Sequence, residues 1–188
     1  IGIGGGSPLD SVKAISAMSV LPGRIADYMG REIAGEFPPM ALIPTTAGTG
    51  SEATKFTIIT DEAANVKMLL RGDALLPQVA VVDPALTHSA PASVTAATGM
   101  DALTHAVEAY TSRKANPLTD LYALDAIASI ASRWRGRFDF VPVLSAVADD
   151  ATWTGARGFV TTKIPEHVQS GAHAYLCGPP VMIDAAIP

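Results

Sequence analysis

Cysteine is almost missing from this chain. Cys177 stands alone, so no internal disulfide can form, and a reducing, cytoplasmic setting is expected. Long apolar runs are missing too. No stretch of about 18 uninterrupted apolar residues occurs, so no membrane span is expected. Positive charge is in deficit, with 13 Lys and Arg against 18 Asp and Glu, a net −5. That leaves no basic footprint for nucleic acid. No charged-then-apolar leader precedes Ile1, so no secretory signal is expected, and the missing start methionine points to truncation. Internal repeats and low-complexity tracts are absent as well. What remains is a chain of 188 residues, 48% hydrophobic and only 16% charged. It suffices for the core of one ordinary domain or two small ones.

Glycine and proline punctuate the chain. Residues 1–4 read as the end of a buried strand that runs into GGGS. A helix is expected from Pro8 to Met18, with Pro8 in its first turn. Residues 22–39 read as a loop with one short helical turn. Met40 to Ile43 is a short strand ending at Pro44, followed by the loop TTAGTGSE at 45–52. Phe56–Thr60 and Val66–Leu70 suggest a hairpin around Asp61–Asn65. Val79–Val82 reads as another buried strand, closed by Asp83 and Pro84. Helices are expected over about Ser93–Ser112 and Leu118–Trp134. Strands that end in glycine-rich loops before helices imply an α/β nucleotide-binding layer followed by an α-helical segment. Past Arg133–Arg137 the pattern changes. Phe138–Ser145 alternates as a strand, Ala174–Cys177 is apolar before Gly178, Pro179 and Pro180, and a small α/β tail is expected. The divisions are 1–90, 91–134 and 135–188.

Two loops carry chemistry. In GGGS, glycines allow backbone N–H groups to approach a phosphate without Cβ clashes, and the helix behind adds unpaired donors and about half a positive charge. Ser7 can donate a further hydrogen bond, and Asp10 can favour the helix or meet a ribose or amide. The plain alternative is a tight strand-to-helix turn. TTAGTGSE adds Thr45, Thr46, Thr49 and Ser51 as donors after a second strand. Two such loops suit a dinucleotide, which needs separate clamps for its phosphates and its nicotinamide-side ribose. The alternative is a hydroxyl-rich turn capping a helix with Glu52 as partner.

GMDALTHAVEAYTS places Asp101 and His105 one turn apart on one helix face. A carboxylate and an imidazole so spaced can share a divalent metal, iron or zinc rather than calcium. They can equally form a simple Asp–His hydrogen bond. Glu108, a turn beyond, reads as solvated or as a support behind the two ligands. His88, His167 and His173 have no obvious ligand spacing.

GGGSPLDSVKAI, IPTTAGTGSEAT, DPALT and GMDALTHAVEAYTS, in that order, resemble the iron-containing (group III) alcohol dehydrogenases. The resemblance spans about Ile1 to Ser132. It implies a truncated dehydroquinate synthase-like fold, with a dinucleotide-binding α/β domain before a helical one. It also implies that Gly5, Gly6 and Ser7 bind the pyrophosphate of NAD(P), with Asp10 nearby. Thr45, Thr46 and Thr49 would contact phosphate, ribose or nicotinamide. Lys67 matches a hairpin lysine that faces the cofactor. Asp101 and His105 match the first two ligands of Fe2+ or Zn2+, which would act as a Lewis acid on a small alcohol or aldehyde. The family has further βα units before its GGGS and two more ligand histidines on later helices; neither is found here. A homo-oligomer is left open.

FVPVLS, WTGARGFVT and HAYLCGPPVMIDAA resemble instead the last part of ferredoxin-NADP reductase-type modules. That would put Cys177, Gly178 and Pro179 near nicotinamide, without a flavin domain. The plain alternative is a buried cysteine before a Gly-Pro turn. The leading expectation is an incomplete or chimeric alcohol dehydrogenase, weakly active or inactive as an isolated chain. The rivals are an NAD(P)H-dependent electron-transfer fragment and an inactive remnant.

Overall fold

The computed structural model describes residues 1–133, 141, 143–144, 154–159 and 161–163. The chain divides into two compact units, Ile1–His105 and Ala106–Pro188.

The first unit is an α/β layer. Strand β1 (Gly2–Gly4) leads into helix α1 (Gly6–Met18), and β2 (Ala41–Pro44) returns parallel to β1. A helical crossover is what a parallel pair requires. Strand β5 (Val79–Ala80) adds on the other side of β2, so the sheet order is β1-β2-β5, all parallel. The loop after α1 holds one 3-10 turn, Ile25–Tyr28, as its Gly and Pro content suggests. Strands β3 (Phe56–Asp61) and β4 (Val66–Arg71) form the expected antiparallel hairpin. Its tip is held by the Ala64 N–H donating to Asp61 Oδ1 at 3.1 Å.

The core lies between the C-terminal half of α1, the loop after it and the hairpin. Ala17, Ile33, Met68, Leu70 and Leu75 are its buried residues, with Leu21, Ile25, Tyr28, Phe37 and Ile59 packed against them. Strand alternation explains the hairpin's share. Met68 and Leu70 face inward, while Lys67 and Leu69 face out. Leu9 and Leu42 are fully buried beneath α1, which packs on β1, β2 and β3.

Two strand expectations need correction. Val79–Val82 is not buried: regular pairing covers only Val79–Ala80, and Val81 and Val82 are 44% and 68% exposed. The reason is position, because among the described residues β5 pairs only with β2 and lies at the sheet's edge. Residues 1–4 are likewise half right. Gly2 is buried, but Ile1 and Ile3 on the opposite edge are open to solvent.

Helix α2 (Ala92–Thr111) starts in the first unit and ends in the second. In the second unit α3 (Pro117–Arg133) follows a short link. Asn116 caps it: its Oδ1 accepts from the N–H groups of Leu118 and Thr119, at 3.1 and 3.2 Å. Among the described residues of this unit, Ala106, Ala123 and Ile127 are buried. A two-residue parallel pair, β6 (Val143–Leu144) with β7 (Ala156–Arg157), completes the described part. The expected strand at Ala174–Cys177, the Gly-Pro turn and the helix start at Met182 lie outside the described residues. Among the described residues no helix is long and apolar enough to cross a membrane.

Candidate functional site

The two glycine-rich loops meet at the same end of the parallel sheet. Helix α1 opens on Gly5, which has no side-chain cap. Pro8 contributes no N–H, so the free donors at this end come from residues just before it. Strand β2 ends beside β1, and the Thr45 N–H donates to the Gly4 carbonyl at 2.9 Å. That bond starts the second loop directly against the first.

Glycine then lets the loops approach. A Cβ on Gly5 would stand 3.4 Å from Thr46 Oγ1, and one on Gly6 only 2.8 Å from Thr49 Cγ2. Thr46 and Thr49 therefore lie directly over the start of α1. Gly5, Gly6, Thr45, Thr46 and Thr49 are half-buried, and Ser7 is exposed. Backbone donors, hydroxyls and a helix N-terminus converge on one spot, a combination suited to anionic oxygens.

The capping alternative for TTAGTGSE is partly realised. Thr49 Oγ1 accepts from the Ser51 N–H at 3.3 Å, and a one-turn 3-10 helix follows at Ser51–Ala53. Its N-cap is Gly50 in the left-handed conformation, with no side-chain cap.

Asp10 is heavily engaged within the chain. Its Oδ1 accepts from Ser51 Oγ at 2.6 Å, its Oδ2 from the Ile58 N–H at 3.1 Å, and its carbonyl from Thr57 Oγ1 at 2.7 Å. One turn further, Lys13 is fully buried. Its ammonium donates to the Thr54 carbonyl at 2.7 Å, to Thr54 Oγ1 at 3.1 Å and to the Phe56 carbonyl at 2.8 Å. Burial pushes its pKa down to about 8, against the opposing pull of Asp10 and Glu52. Lys13 does not stand out among the sequence motifs. A signal existed: Lys13 shares a helix face with Leu9 and Ala17, both fully buried.

The metal candidates sit on α2. Asp101 Oδ1 and His105 Nε2 are 3.6 Å apart, both side chains partly open to solvent. That separation exceeds a hydrogen bond. They fit a divalent cation as two ligands of a larger set. Among the described residues no group of three or more His, Cys, Asp and Glu side chains forms. His88 is exposed; His167 and His173 lie outside the described residues.

Gly48 joins the loop to this helix. A Cβ there would lie 2.5 Å from the Thr98 carbonyl oxygen and 2.7 Å from Thr98 Cβ. The loop thus runs against α2 backbone three residues before Asp101. Lys67 stands apart from these contacts, on the exposed face of β4 opposite Thr60.

Known proteins resemble this chain in sequence and in fold. A sequence profile described as iron-containing alcohol dehydrogenase matches residues 1–84. A second, for the C-terminal part of the Fe-containing alcohol dehydrogenase family, matches residues 95–139. An NAD-dependent methanol dehydrogenase of Bacillus methanolicus is 47% identical over 131 residues, 69% of this chain and 34% of that protein. The crystal structure of a 1,3-propanediol oxidoreductase superposes with a TM-score of 0.67 at 46% identity, covering 69% of this chain and 34% of its own. A sulfoacetaldehyde reductase from Bifidobacterium kashiwanohense, solved in complex with NAD+, gives 0.62 at 38% identity, covering 69% and 35%. The chain therefore spans about a third of the length of the relatives it matches. The family match runs to residue 139, past the expected limit at Ser132. A reductase-like tail finds no support in these comparisons, and Cys177, Gly178 and Pro179 lie outside the described residues.

Proposed function

We propose, for a chain that belongs to the iron-containing alcohol dehydrogenase family across residues 1–84 and 95–139, that it forms the nucleotide-clamping and first metal-ligating part of an NAD(P)-linked alcohol dehydrogenase. The observation that carries the reading is the apposition of Gly5 and Gly6 with Thr46 and Thr49 over the start of α1.

Gly5, Gly6 and Ser7 hold the pyrophosphate with backbone and hydroxyl donors. Thr45, Thr46 and Thr49 take the nicotinamide-side phosphate and ribose. Lys67, exposed on the hairpin, is available to the cofactor as a mobile cation. Asp101 and His105 are two ligands of Fe2+ or Zn2+. When bound, the cation supplies Lewis acidity toward an alcohol oxygen and the nicotinamide exchanges a hydride. The chain's own residues fix the ligand's position: Gly48 against Thr98 keeps the threonine loop close to the helix that carries Asp101 and His105. The substrate is a small alcohol or its aldehyde. Methanol and 1,3-propanediol, named in the relatives, are the first to try.

The test is fluorescence titration of NADH into the full chain, beside Gly6→Val, followed by alcohol-dependent NAD+ reduction with added Fe2+ or Zn2+. Saturable binding that Gly6→Val abolishes is expected. Turnover is expected to be weak, and lost in Asp101→Ala and His105→Ala. Absence of saturable NADH binding overturns the reading.

A further inference from the structure

Asp10 and Lys13 are the most heavily bonded charged side chains near the site, yet both are turned into the protein. Together they make five side-chain hydrogen bonds, to Ser51, Thr54, Phe56 and Ile58. All these partners lie on the outgoing side of the threonine loop. The incoming side is pinned separately by the Thr45 N–H on the Gly4 carbonyl. The loop is therefore held at both ends by the element that carries GGGS.

From this geometry we infer that Asp10 and Lys13 are positioning residues, a latch that fixes the threonine loop against α1 so that one ligand can span both loops. The inference rests on the nucleotide reading above and deepens it. Neither residue touches the ligand. Each of the three ammonium protons of Lys13 has an acceptor, and both carboxylate oxygens of Asp10 have a donor. The latch also settles the local charge. Asp10 and Glu52 would repel a phosphate, and the nearby Lys13 charge attracts both. A buried lysine is retained only where its charge is paired and hydrogen-bonded, and this one ties α1 to the segment Thr54–Phe56, far from it in sequence. Preorganising the two loops lowers the ordering cost of binding a ligand that touches both.

A latch predicts a dependence on ligand span that loss of fold would not give. The probes are NADH, which engages both loops fully, and ADP, which lacks the nicotinamide-side ribose and so leans mainly on the GGGS side. They are titrated into the full chain, wild type and the variants Lys13→Met, Asp10→Asn and Ser51→Ala, with circular dichroism of each. NADH affinity is expected to fall about tenfold or more in Lys13→Met and Asp10→Asn, while ADP affinity changes less than about threefold. Ser51→Ala removes one buried hydroxyl from the latch and keeps the test open should Lys13→Met unfold. It is expected to weaken NADH about threefold to tenfold and leave ADP unchanged. Asp10→Asn with Ser51→Ala is expected to cost less than the two losses combined, since both break one bond. Folded variants that bind NADH within about twofold of wild type, or that lose NADH and ADP equally, overturn the latch. A wild-type chain that binds neither probe overturns the nucleotide reading and the latch with it.

Discussion

The loop cluster and the α2 pair differ in how completely each is built. Around Gly5, Gly6 and Thr45–Ser51, the positions are fixed from several directions by backbone pairing, close glycine contacts and buried side-chain hydrogen bonds. Asp101 and His105 owe their geometry to one helix turn, and both remain partly open to solvent. The lesson is that the proposed clamp is ordered by contacts from several elements, whereas the proposed metal pair is ordered by one helix turn alone. Among the described residues none completes the set.

The comparison can be broken most forcefully at Lys13. Lys13→Met leaves the Thr54 and Phe56 carbonyls without their donor. The expected loss is about 2–3 kcal/mol of unfolding free energy, read from urea midpoints. Gly48→Ala comes next. Its new Cβ meets the α2 backbone at Thr98, so about 1–3 kcal/mol is expected to be lost as the loop shifts. Ser51→Ala deletes one bond to Asp10 and is expected to cost about 1 kcal/mol. At the small end, Asp101→Ala or His105→Ala is expected to change stability by less than about 0.5 kcal/mol, because the pair is half-exposed and beyond hydrogen-bond distance. Metal content of the same variants would drop, separating ligation from folding.

Lys13 also gives the comparison a pH signature. Its folded pKa of about 8 lies below the ordinary 10.5. Between these values the unfolded chain binds more protons than the folded one, so this group makes stability rise with pH over that window. Below about 8 both states hold the proton and the burial penalty is fully present. Urea midpoints of wild type minus Lys13→Met are expected to climb from pH 8 toward 10.5. A flat difference would show that the ammonium is not desolvated.

Much of this was legible in the sequence, for local reasons. GGGS, Pro8 and Pro44 mark where strands stop and helices start, so β1, α1 and β2 fell where expected. The Asp101–His105 spacing is a property of the helix itself. What escaped depended on tertiary neighbours. Val79–Val82 has the composition of a buried strand, and composition does not say which strand is at an edge. Asp10 offers itself to a ribose or to its helix, and only the folded loop and hairpin reveal Ser51 and the Ile58 N–H as its partners. Lys13 was overlooked because lysine is read as solvated by default, although its helix face is apolar. The reductase resemblance rested on short strings after residue 137. The family match stops at residue 139.

The most direct measurement is an NADH titration of the full chain in the presence of a metal chelator. A nucleotide clamp complete in itself predicts saturable one-to-one binding with the metal pair empty. Binding that appears only after Fe2+ or Zn2+ is restored would contradict the account, since the loops would then depend on the α2 pair for their order.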